Sequence, residues 1–162
     1  GLLYVLQQLA LLQSACHIII CPGSNSSLIA LLKSVKMPSH ITVYIAQSSH
    51  VSVAQVLSVS TLLITKSGSI SVAEALAMQV PMILDASNNV LRWERYNHYF
   101  VCENKVGFSV KKYTQLPALV ERVLSDNVLF NQMKTAMFQL QKNEAPDVIK
   151  RLVYQLIKSK SF

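Results

Sequence analysis

The first 73 residues contain no acidic side chain, and their only cations are Lys33, Lys36 and Lys66. Charge is scarce throughout, at 14% of 162 residues against 51% hydrophobic. That balance excludes a disordered polyelectrolyte and leaves enough apolar material for one packed core. Glycine and proline are few, at 4 and 5 residues, which excludes collagen-like and low-complexity chains. Three cysteines, Cys16, Cys21 and Cys102, are too few and odd in number for a disulfide framework. Cys16 and Cys21 flank an apolar run and read as buried thiols. With His17 they fit no common zinc spacing, so no metal site is expected. No Ser/His/Asp arrangement, CxxC or HExxH motif is present.

Residues Gly1 to Leu32 carry no formal charge, a stretch long enough to suggest a membrane span. Gln7, Gln8, Gln13, Ser14 and His17 interrupt it, and Pro22-Gly23 breaks it. No basic region or small-residue cleavage site precedes it, so a signal peptide is not expected either. The stretch resolves into two elements. Leu2, Leu3, Leu6, Leu9 and Leu12 recur at helical spacing. His17–Cys21 is a short β-branched run stopped by Pro22-Gly23, as a buried strand would be.

The net charge is +7. Apart from the three lysines named above, every charged residue lies from Glu74 onward. Such an excess suits nucleotide phosphates, nucleic acid or an anionic lipid surface. Clustered basic-aromatic motifs are absent, so no nucleic-acid partner is expected.

Along the chain, strand and helix patterns alternate. Expected strands are 17–21, Ile41–Ala46, Leu62–Thr65, Pro81–Leu84 and Gly107–Val110. Expected helices are Ser24–Val35, Val51–Ser58, Ser69–Gln79, Glu94–Asn104, Thr114–Leu124, Asp126–Lys142 and Asp147–Lys158, with a loop over 85–93. The strands are apolar throughout rather than alternating. That predicts an α/β, Rossmann-like domain with a parallel sheet covered by helices on both faces. No repeat or linker divides the chain.

Ligands of such sheets bind beyond the carboxyl ends of the strands. The informative stretch is Leu62–Leu84. Strand Leu62–Thr65 runs through Lys66-Ser67-Gly68-Ser69 directly into a helix. Small residues there let the backbone approach a ligand, and free N–H groups at the helix start favour a phosphate. Ser69 and Ser71 add hydroxyls. Glu74, placed in the first turn or so, suits the helix dipole. It could equally accept two hydroxyls of a ribose beside that phosphate.

The pattern Thr65-Lys66-Ser67-Gly68, Ser71-x-x-Glu74-Ala75 and Val80-Pro81 resembles the donor-nucleotide motif of a GT-B glycosyltransferase family, family 28. Glu94-x-x-Asn97 and Asn104-x-x-Gly107 resemble its downstream signature. The family includes the lipid II-forming GlcNAc transferase, monogalactosyldiacylglycerol synthases and processive diacylglycerol glucosyltransferases. Ile64-Thr65-Lys66 and Glu94-Arg95-Tyr96-Asn97 are most similar to the galactolipid branch. The resemblance covers about residues 17 to 124.

What the resemblance implies is the C-terminal, donor half of a two-domain GT-B fold, spanning residues 1–162, with the acceptor domain absent. The donor would be a UDP-sugar, with no cofactor, and the acceptor a lipid. Gly68, Ser69 and Ser71 would face the diphosphate, and Glu74 would hold the ribose. Glu94 and Asn97 would touch the sugar or shape its pocket, and uracil would lie near Ala46–Ser49. Trp93 stands where the family often has Gln; it offers the sugar an indole donor and a stacking face, or packs as a loop aromatic. Leu91-Arg92 replaces the Pro-Gly of the lipid-synthase branch. The family's first strand and Gly-rich loop are missing here, which leaves a sheet edge open. No catalytic base is found; by resemblance it belongs to the absent half. His98, next to Asn97, reads as structural.

Three readings follow. The chain is the donor part of a lipid hexosyltransferase, cytoplasmic and peripheral at the inner face of a membrane. Alternatively, it is a donor subunit docking on a separate membrane-bound acceptor subunit, for which a large exposed apolar patch would speak. The third is a truncated, non-catalytic nucleotide-binding remnant.

Overall fold

Leucines at helical spacing make α1 (Leu2–Leu9), which buries Leu6 and Leu9 and is followed by a buried Leu12. In the computed structural model, which describes residues 1–46, 51–87, 90–141 and 145–159, helix and strand then alternate. The elements are β1 (Cys16–Ile20), α2 (Ser26–Lys33), β2 (Ile41–Ile45), α3 (Val53–Ser58), β3 (Leu63–Lys66), α4 (Ser69–Ala77), β4 (Met82–Asp85), α5 (Arg95–Glu103) and β5 (Gly107–Val110). A 3-10 turn (Tyr113–Gln115) leads into α6 (Leu116–Ser125), α7 (Asn127–Leu140) and α8 (Ala145–Ser159).

Every expected element is present, and local chemistry moves some boundaries. Among the serines and asparagine ahead of α2, Asn25 is the cap: its Oδ1 accepts from Leu28 N–H at 2.9 Å. Ser52 and Gln55 form a capping box that starts α3 at Val53, not Val51. Asp85, expected in a loop, is the last residue of β4. Cys21 is exposed, contrary to the expected buried thiol, because it follows the last residue of β1; Cys16 is half-buried and Cys102 exposed.

All strand pairs are parallel, but the strands do not form one continuous sheet. β1 pairs β2, with Cys16 opposite Ile41; β3, β4 and β5 form a separate three-stranded sheet, with Leu63 opposite Met82 and Met82 opposite Gly107. The expected open edge is therefore internal: it lies between β1 and β3.

Helices cover both faces. On one face, Leu9, Leu12, Leu116 and Val120 pack with Ile41 of β2, Ile83 of β4 and Val110 of β5. α1 and α6 thus span both half-sheets. Leu6 and Leu32 of α1 and α2 pack beside them on Ile20. On the other face, Val72 and Ala75 of α4, Val101 of α5 and Met137 of α7 pack on Met82 and Leu84. Met82, Ile83 and Leu84 have no exposed surface; burial of each is worth about 1.5–3 kcal/mol. Gly107 lets β5 lie close on β4: a Cβ there would stand 2.0 Å from Met82 O.

Candidate functional site

β3 ends at Lys66, and two residues later the chain turns into α4. Gly68 is the N-cap, at φ −63° and ψ 135°, with no side-chain cap bond and no acid in the first turn. The first internal bond of α4 runs from Val72 N–H to Gly68 O at 3.1 Å. The N–H groups of Ser69, Ile70 and Ser71 precede it and have no helical acceptor, so they remain open donors with the positive end of the helix dipole behind them. Nothing lies within 4 Å of the position a Gly68 Cβ would take. Among the described residues, nothing fills the space beside Gly68 at the start of α4.

The loop is fastened from below. Ser67 is buried. The Asn97 amide, itself buried on α5, donates to Ser67 O at 2.5 Å and to Ser69 Oγ at 3.1 Å. Ser67 Oγ donates to Glu94 Oε2 at 3.3 Å. Ser69, Glu94 and Asn97 are thus brought together, through Ser67, which the sequence reading did not single out. Its signal was its place in the small-residue run.

Glu74 and Ser71 sit on another side of α4 and line the cavity between β1 and β3. Glu74 is half-buried and lies in the second turn, not the first. The dipole effect fades within one turn, so stabilising the helix start does not account for it. Its carboxylate has no hydrogen-bond partner among the described residues and is free to accept. Trp93, by contrast, is 73% exposed and belongs to no core cluster. Of the segment expected to hold uracil, residues 47–49 lie outside the described residues.

A second polar group at the carboxyl edge was missed. Asp85 Oδ2 accepts from Tyr113 Oη at 2.9 Å and Oδ1 from Ser87 N–H at 2.9 Å. Burial pushes Asp85 up, but the Ser87 and Tyr113 hydrogen bonds outweigh it and hold the carboxyl below its usual range. The legible signal was an acid ending an apolar strand. His98 Nδ1 lies 2.7 Å from Ser109 Oγ, while Nε2 is buried with no partner among the described residues. Burial lowers the His98 pKa, against the opposing charges of Glu94 and Asp85. The ring is thus held against β5 through Ser109. No group of His, Cys, Asp and Glu able to hold a metal is found among the described residues.

The arrangement offers an anion three backbone donors and the Ser69 hydroxyl, with the Ser71 hydroxyl and the Glu74 carboxylate on another side of α4. The fold is similar to those of solved glycosyltransferases. The calicheamicin glycosyltransferase CalG4 matches with a TM-score of 0.67 at 16% identity, covering 99% of this chain and 40% of that one. The glycosyltransferase VinC, solved in complex with DTDP, matches at 0.65 and 15% identity, covering 95% and 37%. SnogD from Streptomyces nogalater matches at 0.62 and 19% identity, covering 92% and 39%. The chain spans less than half the length of these proteins, and at such identities the likeness is one of fold. No curated protein matches the sequence. The glycosyltransferase family 28 C-terminal domain matches residues 4–152, and the chain belongs to that family.

Proposed function

We propose that the start of α4 binds the diphosphate of a UDP-sugar and that the chain is the donor half of a hexosyltransferase with a lipid acceptor. The observation that carries the donor site is the set of open N–H groups at Ser69, Ile70 and Ser71 beside the unfilled space at Gly68. Glu74 takes the ribose hydroxyls, and Glu94 and Trp93 border the sugar. An acceptor hydroxyl displaces the diphosphate at the anomeric carbon with inversion. The α4 donors stabilise the negative charge that develops on the departing diphosphate.

The lipid side of the reading is supported by α8. Ile149, Leu152 and Val153 are exposed on it, together with the cations Lys150, Arg151 and Lys158. An apolar stripe beside cations suits an anionic interface. No helix of the described residues is long and apolar enough to cross a membrane. The same exposed stripe also favours the second reading, a separate acceptor subunit seated on α8. Sedimentation with anionic vesicles tests the first; co-purification with a membrane protein tests the second.

Calorimetry with UDP tests the donor site. Binding at about 1 mM or tighter is expected, and Glu74→Ala weakens it about tenfold to a hundredfold, the worth of charge-assisted bonds to two hydroxyls. Absence of heat for the unaltered chain removes the site and leaves the remnant reading. Equal binding by the variant removes Glu74 from it. VinC was solved with DTDP, so titration with thymidine diphosphate alongside decides the base.

A further inference from the structure

The start of α5 has two faces of different chemistry. Glu94, Asn97 and Val101 turn inward, to the loop before α4 and to the core. Arg92, Arg95, Tyr96 and Tyr99 recur at i, i+3, i+4 and i+7, the spacing that gathers side chains on one helical face. The turn ahead of α5 keeps them in phase: Leu91 O accepts from Glu94 N–H at 2.9 Å and from Arg95 N–H at 3.2 Å. That spacing ordinarily marks a stripe turned to the core, yet all four residues are exposed. Trp93 and Leu91 add an exposed ring and an exposed aliphatic side chain from the same turn.

The patch is large. Trp93, Tyr96 and Tyr99 are 73%, 69% and 66% exposed. An aromatic side chain carries about 150–250 Å², so the three leave roughly 300–500 Å² in water. That matches the largest patch of a typical monomer, and such patches are often functional.

Its chemistry points to one partner. Trp and Tyr have an apolar body and a polar tip, and they collect at the headgroup level of a bilayer, where one end is dry and the other wet. Arg92 and Arg95 stand among them, and guanidinium pairs with phosphate through two parallel bonds. Glu94 is turned away to Ser67. Glu103, the acid on the outer face, lies one turn beyond Tyr99. Two cations against that acid leave the face positive. They are far fewer than the roughly 6–10 phosphate contacts on which nucleic-acid affinity rests.

We infer that the outer face of α5 docks on an anionic phospholipid surface, with Trp93, Tyr96 and Tyr99 at headgroup level and Arg92 and Arg95 on lipid phosphates. Docking here rests on the lipid-acceptor reading, because such a surface serves an acceptor that lies in a bilayer. It brings that bilayer to the donor site. Asn97, on the inner side of the same helix, holds Ser67 and Ser69 of the donor loop. The loop and the headgroups are then about 10–12 Å apart, one helix diameter. α7, which leads to α8, ends instead at the far end of α4, where Gln141 donates to Leu76 O and Ala77 O at 2.7 Å each.

Trp93 is the sole tryptophan, so its emission reads this patch and no other. The test mixes the unaltered chain with protein-free vesicles of phosphatidylcholine and phosphatidylglycerol, without nucleotide. Emission is expected to move to shorter wavelength and to be quenched by lipids brominated close to the headgroup. An arginine at an anionic surface is worth about fivefold in affinity, so Arg92→Gln/Arg95→Gln should demand roughly 25-fold more lipid for the same shift. Sedimentation with vesicles while Trp93 emission stays unmoved overturns the inference and leaves the lipid reading to α8. Absence of sedimentation overturns both. A shift with native membranes but not with protein-free vesicles makes a membrane protein the occupant. A shift that grows with protein concentration alone makes it a second copy. Either result overturns the inference. UDP calorimetry uses no lipid, so the donor site stands or falls separately.

Discussion

The side-chain amide of Asn97 reaches back 30 residues to hold the carbonyl of Ser67 at 2.5 Å. The loop that presents the α4 donors is thus tied to α5. Asn97→Ala leaves a buried carbonyl unsatisfied. Loss of about 1–3 kcal/mol is expected in urea unfolding, with weaker UDP binding. Asn97→Asp, which sets a carboxylate against that carbonyl, should be worse than alanine; equal loss would mean the amide bond is not made.

Gly68 has an ordinary φ of −63° and nothing within 4 Å of its Cβ position. Gly68→Val, at an unstrained N-cap with no side-chain cap bond, is therefore expected to lower the unfolding free energy by no more than about 1 kcal/mol. It fills the space beside Gly68 at the start of α4, so UDP binding should disappear. Retained binding would move the diphosphate elsewhere.

Gly107 differs although both are glycines at ordinary backbone angles. An added Cβ meets backbone, Met82 O at 2.0 Å, and Met82, Ile83 and Leu84 of β4 have no exposed surface into which to yield. Gly107→Ala should cost upwards of about 2 kcal/mol, at the severe end of overpacking, and equilibrium unfolding of the purified variant checks it.

Glu121 fastens the turn after α1 to α6, accepting from Ser14 Oγ at 2.5 Å, Ser14 N–H at 2.9 Å and Gln13 N–H at 2.6 Å. The Ser14 hydroxyl bond, then the backbone bonds, hold its carboxyl below the usual range. A depressed folded pKa contributes stability above the unfolded value, about 4.3, and loses it as pH falls through the folded value. The stability gap between the unaltered chain and Glu121→Gln should therefore be widest near neutrality and shrink below about pH 4.3. A gap that stays constant down to pH 3 would remove the charge from the explanation.

The elements were legible because each rests on local signals. The leucine spacing made α1, and the run from Thr65 to Ser69 placed a strand end, a tight turn and a helix start together. Partners were not legible. An apolar strand buried on both faces carries no mark of its neighbours, so an open sheet edge was expected but its place between β1 and β3 was not. The tie from Asn97 to Ser67 joins segments far apart in sequence, and no spacing rule reaches that far. Glu74 was legible as a residue type, and the expected helix start at Ser69 was right, but six residues into that helix it stands in the second turn. Cys21 was misjudged because β1 ends one residue before it.

Leu9, Leu12 and Val120 share one core cluster with Ile41 of one half-sheet and with Ile83 and Val110 of the other. The distance between the two half-sheets is therefore set by helices lying across them, as joists set the distance between walls. Its width depends on side-chain volume in that cross-layer and not on any strand edge. Trimming Leu12 would let the walls lean together, and the domain would lose its accommodating middle while every existing ladder stayed intact.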